Sequence, residues 1–246
     1  MKNNYRTLLQ VATLGAFAFA AAPAAHALAT IRISDGTSVV TIGDETAGDL
    51  QPGIIGAVGA NSVTFAGWTI VVTSGATKTL QGSATLPDQH LEVKVTGSGA
   101  ATSISVLFSE TGFGPTSGSF FVPYSATIAS SGVNSVNYQA TYDTGNALFG
   151  GGTLASLGGT NFASLPGFTT NGANSNNLTG SPGVLTGPYS ISERITINMS
   201  ATGVSRTTSA SIDVTAIVPD GGSTVALLGF AFAGFGFLRR KLNAAA

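Results

Sequence analysis

The sequence contains no cysteine, so disulfide bonds, thiolate metal ligands and cysteine nucleophiles are all excluded. Its stability must therefore come from the burial of a hydrophobic core. Histidine is almost as scarce, because His26 lies in the N-terminal leader and His90 is the only other histidine. A lone histidine beside a strand is typical of a solvated polar side chain. No catalytic role is expected for His90.

Charge is also sparse, and charged residues make up only 9% of the chain. Five of the ten basic residues lie in the two terminal segments described below. Residues 28–217 keep five basic and ten acidic residues, a net charge of −5. Proteins that bind nucleic acid need clustered lysine and arginine to replace phosphate counterions. No nucleic-acid partner is predicted.

Several motifs of enzymes and cofactor-binding proteins are missing. The chain has no Gly-x-Ser-x-Gly elbow, no Gly-x-x-x-x-Gly-Lys loop, and no Gly-x-Gly-x-x-Gly between a strand and a helix. We therefore predict no catalytic residues, no cofactor and no enzymatic activity. A secreted glycoside hydrolase remains the least favoured alternative, because that chemistry requires only two suitably spaced carboxylates.

The N-terminus has the three parts of a secretory signal peptide. Lys2 and Arg6 precede an apolar stretch over 8–22, and the small residues Ala25 and Ala27 follow it. We predict a signal peptide over 1–27, with cleavage after Ala27. Cleavage after Ala29 and an uncleaved anchor are the alternatives.

The C-terminus carries an uncharged apolar run over 225–238. This run is shorter than the roughly 20 residues that span a bilayer as a helix. The basic cluster Arg239, Arg240 and Lys241 follows directly and is typical of the cytoplasmic end of a membrane span. We predict a transmembrane helix with everything upstream outside the cytoplasm. A buried C-terminal helix of the body is the alternative.

The residues before this run complete a recognisable tail. The order Val-Pro-Asp-Gly-Gly-Ser-Thr, apolar run and basic cluster resembles the VPDSG-CTERM signal, a variant of the PEP-CTERM sorting tails, over 218–242. The resemblance implies a Gram-negative exported protein, transiently held in the inner membrane and then cut by an exosortase. It also implies release to the cell surface or extracellular matrix. The implied recognition residues are Val218, Pro219, Asp220, Gly221 and Gly222.

The body, residues 28–217, shows the two-residue alternation of β-strands almost throughout. We predict an antiparallel β-sandwich of eight to ten strands without an amphipathic helix. Strands 30–34 and 37–42 are predicted to form a hairpin around Asp35-Gly36 with a tight type I′ turn. A single strand is predicted over 63–73, and Pro123 favours an edge or a bulge. Residues 145–187, rich in Gly, Asn, Ser and Thr, are predicted to be a surface excursion or to hold one or two weak strands.

The acidic loop that follows the first hairpin is a weak candidate for a calcium site. Asp44, Glu45 and Asp49 supply hard oxygen donors, with Asp35 a further neighbour across the hairpin. The spacing of an EF-hand is absent. We therefore favour a solvated loop and predict no metal.

The leading functional hypothesis is a noncatalytic envelope or matrix protein whose body serves in adhesion or surface structure. The main alternative is a carbohydrate-binding module, with extracellular polysaccharide as its partner. Such a module would display aromatic rings in a line on its surface. The aromatic residues Trp68, Tyr138 and Tyr142 instead share a strand face with aliphatic residues, so we predict that they pack in the core.

Overall fold

The computed structural model describes residues 29–116, 118–128, 132–201, 203 and 205–217. The predicted signal peptide and the C-terminal tail lie outside these residues. The described chain forms twelve strands and one short 3₁₀ helix, η1 (Leu148–Gly151). The strands are β1 (Thr30–Ser34), β2 (Val39–Gly43), β3 (Ala57–Phe65), β4 (Trp68–Ala76), β5 (Asp88–Gly97), β6 (Thr102–Phe113), β7 (Ser119–Ile128), β8 (Val133–Asp143), β9 (Thr160–Asn161), β10 (Gly172–Gly180), β11 (Tyr189–Met199) and β12 (Arg206–Ile217).

The strands form two six-stranded sheets whose neighbouring strands are antiparallel. Sheet I has the order β2-β1-β6-β11-β8-β9, and sheet II has the order β10-β7-β12-β5-β4-β3. The predicted all-β antiparallel sandwich is therefore confirmed. None of the helical segments among the described residues has the length and apolar character that crossing a bilayer requires.

The core lies between the sheets and is built from the alternating residues that the sequence indicated. On β5 the buried set is Leu91, Val93 and Val95, while Glu92 and Lys94 point away from the core. Trp68 and Tyr138 are buried as predicted, and the indole nitrogen of Trp68 donates to the carbonyl oxygen of Ala100 at 2.8 Å. The same period-two burial recurs on β7, β8, β11 and β12.

Two turns differ from the predictions. The first hairpin has a four-residue loop, 35–38, because Ser34 pairs with Val39. Asp35 Oδ1 stabilises that loop by accepting hydrogen bonds from the backbone N–H groups of Thr37 and Ser38, so a two-residue type I′ turn was the wrong prediction. The predicted single strand over 63–73 is also wrong. Ala66 and Gly67 both adopt positive φ, 49° and 82°, and reverse the chain between β3 and β4.

Pro123 lies in an inner strand rather than at a sheet edge, because β7 pairs with both β10 and β12. The ladder between β7 and β12 is interrupted between Ile212 and Thr215, opposite Val122 and Pro123. This interruption accommodates a residue that has no N–H to donate to the ladder. Neither the predicted edge position nor a bulge is found, because the registers of β7 with β10 and with β12 do not shift at Pro123.

The segment over 145–187 does contain two strands, as one of the alternatives predicted. The strand β10 covers the outer edge of β7, and β9 adds two residues beside β8. Between β8 and β9 the chain lies on the outer face of sheet I. The ring of Phe149 is buried there, and its backbone N–H donates to Ser109 Oγ at 2.9 Å.

Candidate ligand-binding face

The outer face of sheet II carries a row of polar side chains across four strands. The row consists of four direct cross-strand neighbours: Ser175 on β10, Ser125 on β7, Ser211 on β12 and Glu92 on β5. On β7, β12 and β5 these residues alternate with the buried residues of their strands, whereas Ser175 lies on the largely exposed strand β10. Because side chains alternate between the faces of a strand, the packing of the core also orders this polar row.

Two adjoining hollows open along the row. The larger has a volume of about 340 Å³ and lies over β10 and β7, with Asn176 and Asn177 beside the serines. The smaller has a volume of about 80 Å³ and adds Glu92 and Thr127. The two hollows share Ser125 and Ser211, so they form one shallow groove, which we call the serine groove.

Hydroxyl and amide groups supply most of the polar side chains of the serine groove, beside Pro123, Tyr124 and Glu92. Ser125 Oγ and Ser211 Oγ lie 2.9 Å apart and hydrogen-bond to each other. Each hydroxyl offers one donor and two acceptor sites, and each asparagine amide offers both donors and acceptors. The groove therefore suits a ligand that is itself rich in hydroxyl groups.

One carboxylate lines the serine groove. Among the described residues lining its two hollows, Glu92 is the only carboxylate, whereas glycoside hydrolysis uses a pair. A line of exposed aromatic rings is likewise missing from the described surface of sheet II. Phe121 is the exposed aromatic residue there, with 37% of its surface accessible.

His90 lies within β5, on the same face as the serine groove, and is paired rather than free in solvent. Its Nδ1 lies 2.6 Å from Asp213 Oδ1 on β12, the directly opposing residue. The hydrogen bond to Asp213 raises the pKa of His90, while partial burial opposes the rise. The interpretation of His90 as a solvated residue therefore needs correction.

Two carboxylates on the strands of sheet I are buried, and neither lines the serine groove. Glu110 lies on β6 with its Oε1 2.9 Å from Lys78 Nζ, and its Oε2 accepts a hydrogen bond from Thr77. Burial raises the pKa of Glu110, and the Lys78 charge opposes the rise. Glu193 points from β11 into the core, where burial raises its pKa well above the ordinary value. The sequence analysis did not single out Glu193, because its burial without a charged partner depends on how the two sheets pack.

The acidic loop uses its carboxylates to hold its own backbone. Asp49 Oδ1 accepts from the N–H groups of Gln51 and Gly59, and Glu45 Oε1 accepts from Gly53. Asp44 is buried, and its Oδ2 accepts from Gly56 N–H at 2.8 Å. No group of three or more potential ligands is arranged for a metal ion within the described residues.

Asp35 does not join this loop. It follows Ser34, at the opposite end of β1 from Gly43. The expected approach of Asp35 across the hairpin is therefore wrong.

Comparison with known proteins bears on the tail. Residues 218–242 match the family model of the VPDSG-CTERM motif. The chain ends in a VPDSG-CTERM tail. The suspected sorting-tail resemblance is therefore confirmed for these residues, which begin directly after β12. No curated protein matches the chain in sequence.

Several solved structures have a partial likeness to the chain. A carbohydrate-binding module of the β-sandwich superfamily has 14% identity and a TM-score of 0.32, covering 73% of this chain and 66% of that chain. A CBM4 structure has 9% identity and a TM-score of 0.27, covering 61% of this chain and 86% of that chain. The enzymatically active domain of bacteriophage CBA120 tailspike protein 4 has 11% identity and a TM-score of 0.28. The match covers 63% of this chain but only 20% of the tailspike chain. At these scores the likeness has no bearing on ligand or activity.

Proposed function

We propose that the protein is an exported, noncatalytic component of the cell envelope or extracellular matrix. The observation that carries the proposal is the VPDSG-CTERM tail, placed directly after the last strand of a β-sandwich. The chain is translocated by its signal peptide and held transiently by the apolar run 225–238. An exosortase-type enzyme then cuts the tail and releases the body to the surface of a Gram-negative cell.

The tail residues have separable roles in this proposal. Arg239, Arg240 and Lys241 keep the C-terminus on the cytoplasmic side. Pro219 keeps the preceding residue out of helical conformation, so the segment is presented to the enzyme in an extended form. Gly221 and Gly222 leave the following backbone open.

The test is fractionation of the native host producing a variant with both Pro219→Ala and Asp220→Ala. We expect an unprocessed precursor that stays in the inner membrane. The matched control is Ser223→Ala with Thr224→Ala, two substitutions in the same tail outside the proposed recognition residues, which should be processed normally. Normal mass and normal release of the Pro219 and Asp220 variant would refute recognition by this segment.

A second candidate function for the body is the binding of extracellular polysaccharide in the serine groove. The supporting observation is the series of hydroxyl and amide groups along a continuous groove. Binding would depend on hydrogen bonds, since the groove has no row of aromatic rings. Affinity electrophoresis in gels containing the host's own polysaccharide measures it directly.

The informative variant carries Ser125→Ala and Ser211→Ala, which removes both partners of one hydrogen bond and leaves neither unsatisfied. We expect its retardation by polysaccharide to weaken severalfold. The matched control is Ser105→Ala with Thr196→Val, a hydroxyl pair of similar length, 3.0 Å, on sheet I. Equal retardation of both variants would remove the groove as the binding site.

A further inference from the structure

Both ends of the described chain lie at the same end of the sandwich. Thr30 pairs with Gly43 and Ser109, and at the end of β12 Ile217 pairs with Ser119. The end of β6 and the start of β7 are joined by the short loop after Phe113, which brings these two sheet ends together. We call this the tail end of the sandwich, because the sorting tail follows Ile217.

The loops at the tail end form one continuous surface. The loop 44–56 contacts the loop 77–87 through the hydrogen bond from Thr79 Oγ1 to the carbonyl oxygen of Ile55. The loop 77–87 contacts residue Gly114, whose N–H donates to Ala84. Thr116 pairs with Leu185 and so adds the loop 181–188.

Exposed apolar side chains are concentrated on this surface. Eleven large hydrophobic residues are exposed in the described chain, and seven of them lie in these loops or at the end of β12. The most exposed are Val184 at 70% and Leu80 at 53%. The full set at the tail end is Leu50, Ile54, Ile55, Leu80, Leu86, Val184 and Ile217. Among the described residues of the opposite end, only Val39 is a large hydrophobic residue with an exposed side chain.

The tail keeps this surface close to the membrane. Seven residues, 218–224, separate Ile217 from the apolar run. A chain of that length spans at most about 25 Å when fully extended. While the precursor is anchored, the loops of the tail end are therefore the part of the body that faces the bilayer.

We infer that the tail end is a lipid-contacting surface that rests on the bilayer while the tail anchors the precursor. This inference rests on the proposed sorting function. The occupant is a lipid surface because the tail positions the apolar loops there and exposed apolar patches on soluble domains mark contact sites. Glu45, Asp49 and Asp88 also lie at this end, whereas its lysine, Lys78, is buried against Glu110. Contact therefore depends on apolar burial and not on attraction to anionic headgroups.

Because the chain contains no cysteine, each introduced cysteine is the only residue that a thiol-reactive fluorophore labels. Full-length precursor is reconstituted into vesicles with single substitutions Ile54→Cys, Leu80→Cys or Val184→Cys, each carrying a fluorophore. Matched controls are Val39→Cys at the opposite end and Leu154→Cys on the sheet I excursion, which are 39% and 44% exposed. Two kinds of vesicle are used. One contains phosphatidylethanolamine and phosphatidylglycerol, and the other contains phosphatidylcholine. Both also contain a lipid that carries a nitroxide quencher near the membrane surface. Circular dichroism confirms that each labelled variant is folded.

We expect severalfold stronger quenching at the three tail-end positions than at the two controls. The difference should be similar in both lipid mixtures and should persist at high salt, because screening weakens charge contacts but not apolar burial. Equal quenching at all five positions would overturn the inference. So would disulfide dimers of unlabelled Leu80→Cys together with no lipid quenching of the labelled variant, which would assign the surface to a second copy of the chain.

A separate measurement distinguishes failure of the anchor from failure of the surface. Alkaline carbonate removes peripheral proteins but leaves membrane spans in the vesicle. If carbonate extracts the precursor, the tail does not anchor the chain and the proposed sorting function fails. If the precursor resists extraction yet shows no quenching at the tail end, only the lipid-contacting surface is refuted.

Discussion

Glu193 is a residue whose chemistry conflicts with its position. It is completely buried between Ile191 and Ile195 on the inward face of β11, and neither of its carboxylate oxygens has a hydrogen-bond partner among the described residues. The side-chain amide of Gln89, buried on β5, is likewise without a partner there. A buried unpaired charge is so costly that the group becomes neutral instead. Burial without a partner therefore favours the protonated form of Glu193 in the folded protein.

This protonation predicts a specific dependence of stability on pH. Burial raises the folded pKa of Glu193, so its contribution is fully present below the unfolded pKa and is lost as the pH rises toward the folded value. For one proton the free energy of unfolding falls by about 1.4 kcal/mol per pH unit in that interval. The variant Glu193→Gln cannot ionise. Its stability should match the wild type near pH 4 and exceed it at pH 8.

Denaturant unfolding over this pH range measures the difference. The control is Ser175→Ala, which changes no ionisable group and lies on the exposed part of β10, so its pH profile should run parallel to the wild type. Parallel profiles for Glu193→Gln and the wild type would show that Glu193 does not bind an extra proton on folding.

At the scale of elements, two arginines hold the excursion between β8 and β9 against sheet I. Arg32 donates to the carbonyl oxygen of Thr153 at 3.0 Å, and Arg194 donates to that of Ala155 at 3.1 Å. The guanidinium of Arg32 also lies 4.0 Å from the centre of the Phe149 ring. The excursion is glycine-rich, so these contacts must offset a large conformational entropy.

We predict that Arg194→Ala loosens the excursion locally and leaves the sheets intact. Loss of a hydrogen bond from a charged donor costs about 1.5–3 kcal/mol. Hydrogen exchange of peptides covering 148–158 should accelerate accordingly, while exchange in β11 should change little. The control is Arg206→Ala at the start of β12, on the other sheet. Unchanged exchange over 148–158 would show that the arginine does not hold this segment.

The strands that the sequence predicted well are those with strong apolar alternation. Leu91, Val93 and Val95 alone indicate the inward face of β5. By contrast, β10 consists mainly of Gly, Asn and Ser, which have low β propensity, and pairing with β7 stabilises it instead. The turn at Ala66-Gly67 was missed because alanine rarely adopts positive φ.

The serine groove could not have been predicted from sequence for a related reason. Ser125, Ser175 and Ser211 belong to strands far apart in the chain and become neighbours only through the strand order of sheet II. The tail is the opposite case. Its recognition depends on contiguous residues, 218–242, so local spacing is enough to identify it.

At the scale of the whole molecule, one core joins both sheets without any covalent crosslink. The inward residues of both sheets form a single buried cluster, which includes Trp68 from sheet II and Phe108 from sheet I. The buried pair of Lys78 and Glu110 connects a loop of sheet II to a strand of sheet I at the tail end. A body stabilised by one continuous core is expected to unfold as a unit.

We therefore predict one cooperative thermal transition whose midpoint is the same with calcium and with chelator. The carboxylates of Asp49 and Glu45 already accept backbone hydrogen bonds in the acidic loop, so an ion would have to displace these contacts. Calcium present at a hundredfold over its Kd would add about 2.7 kcal/mol of stability.

Scanning calorimetry of the purified chain with calcium, and again with chelator, provides the measurement. The variant Asp49→Asn is the control, because it lowers the midpoint by weakening the loop but should do so equally in both solutions. A calcium-dependent rise of several degrees in the wild type that disappears in Asp49→Asn would mean that the acidic loop is a metal site. Two separate transitions would mean that the sheets do not share one cooperative core.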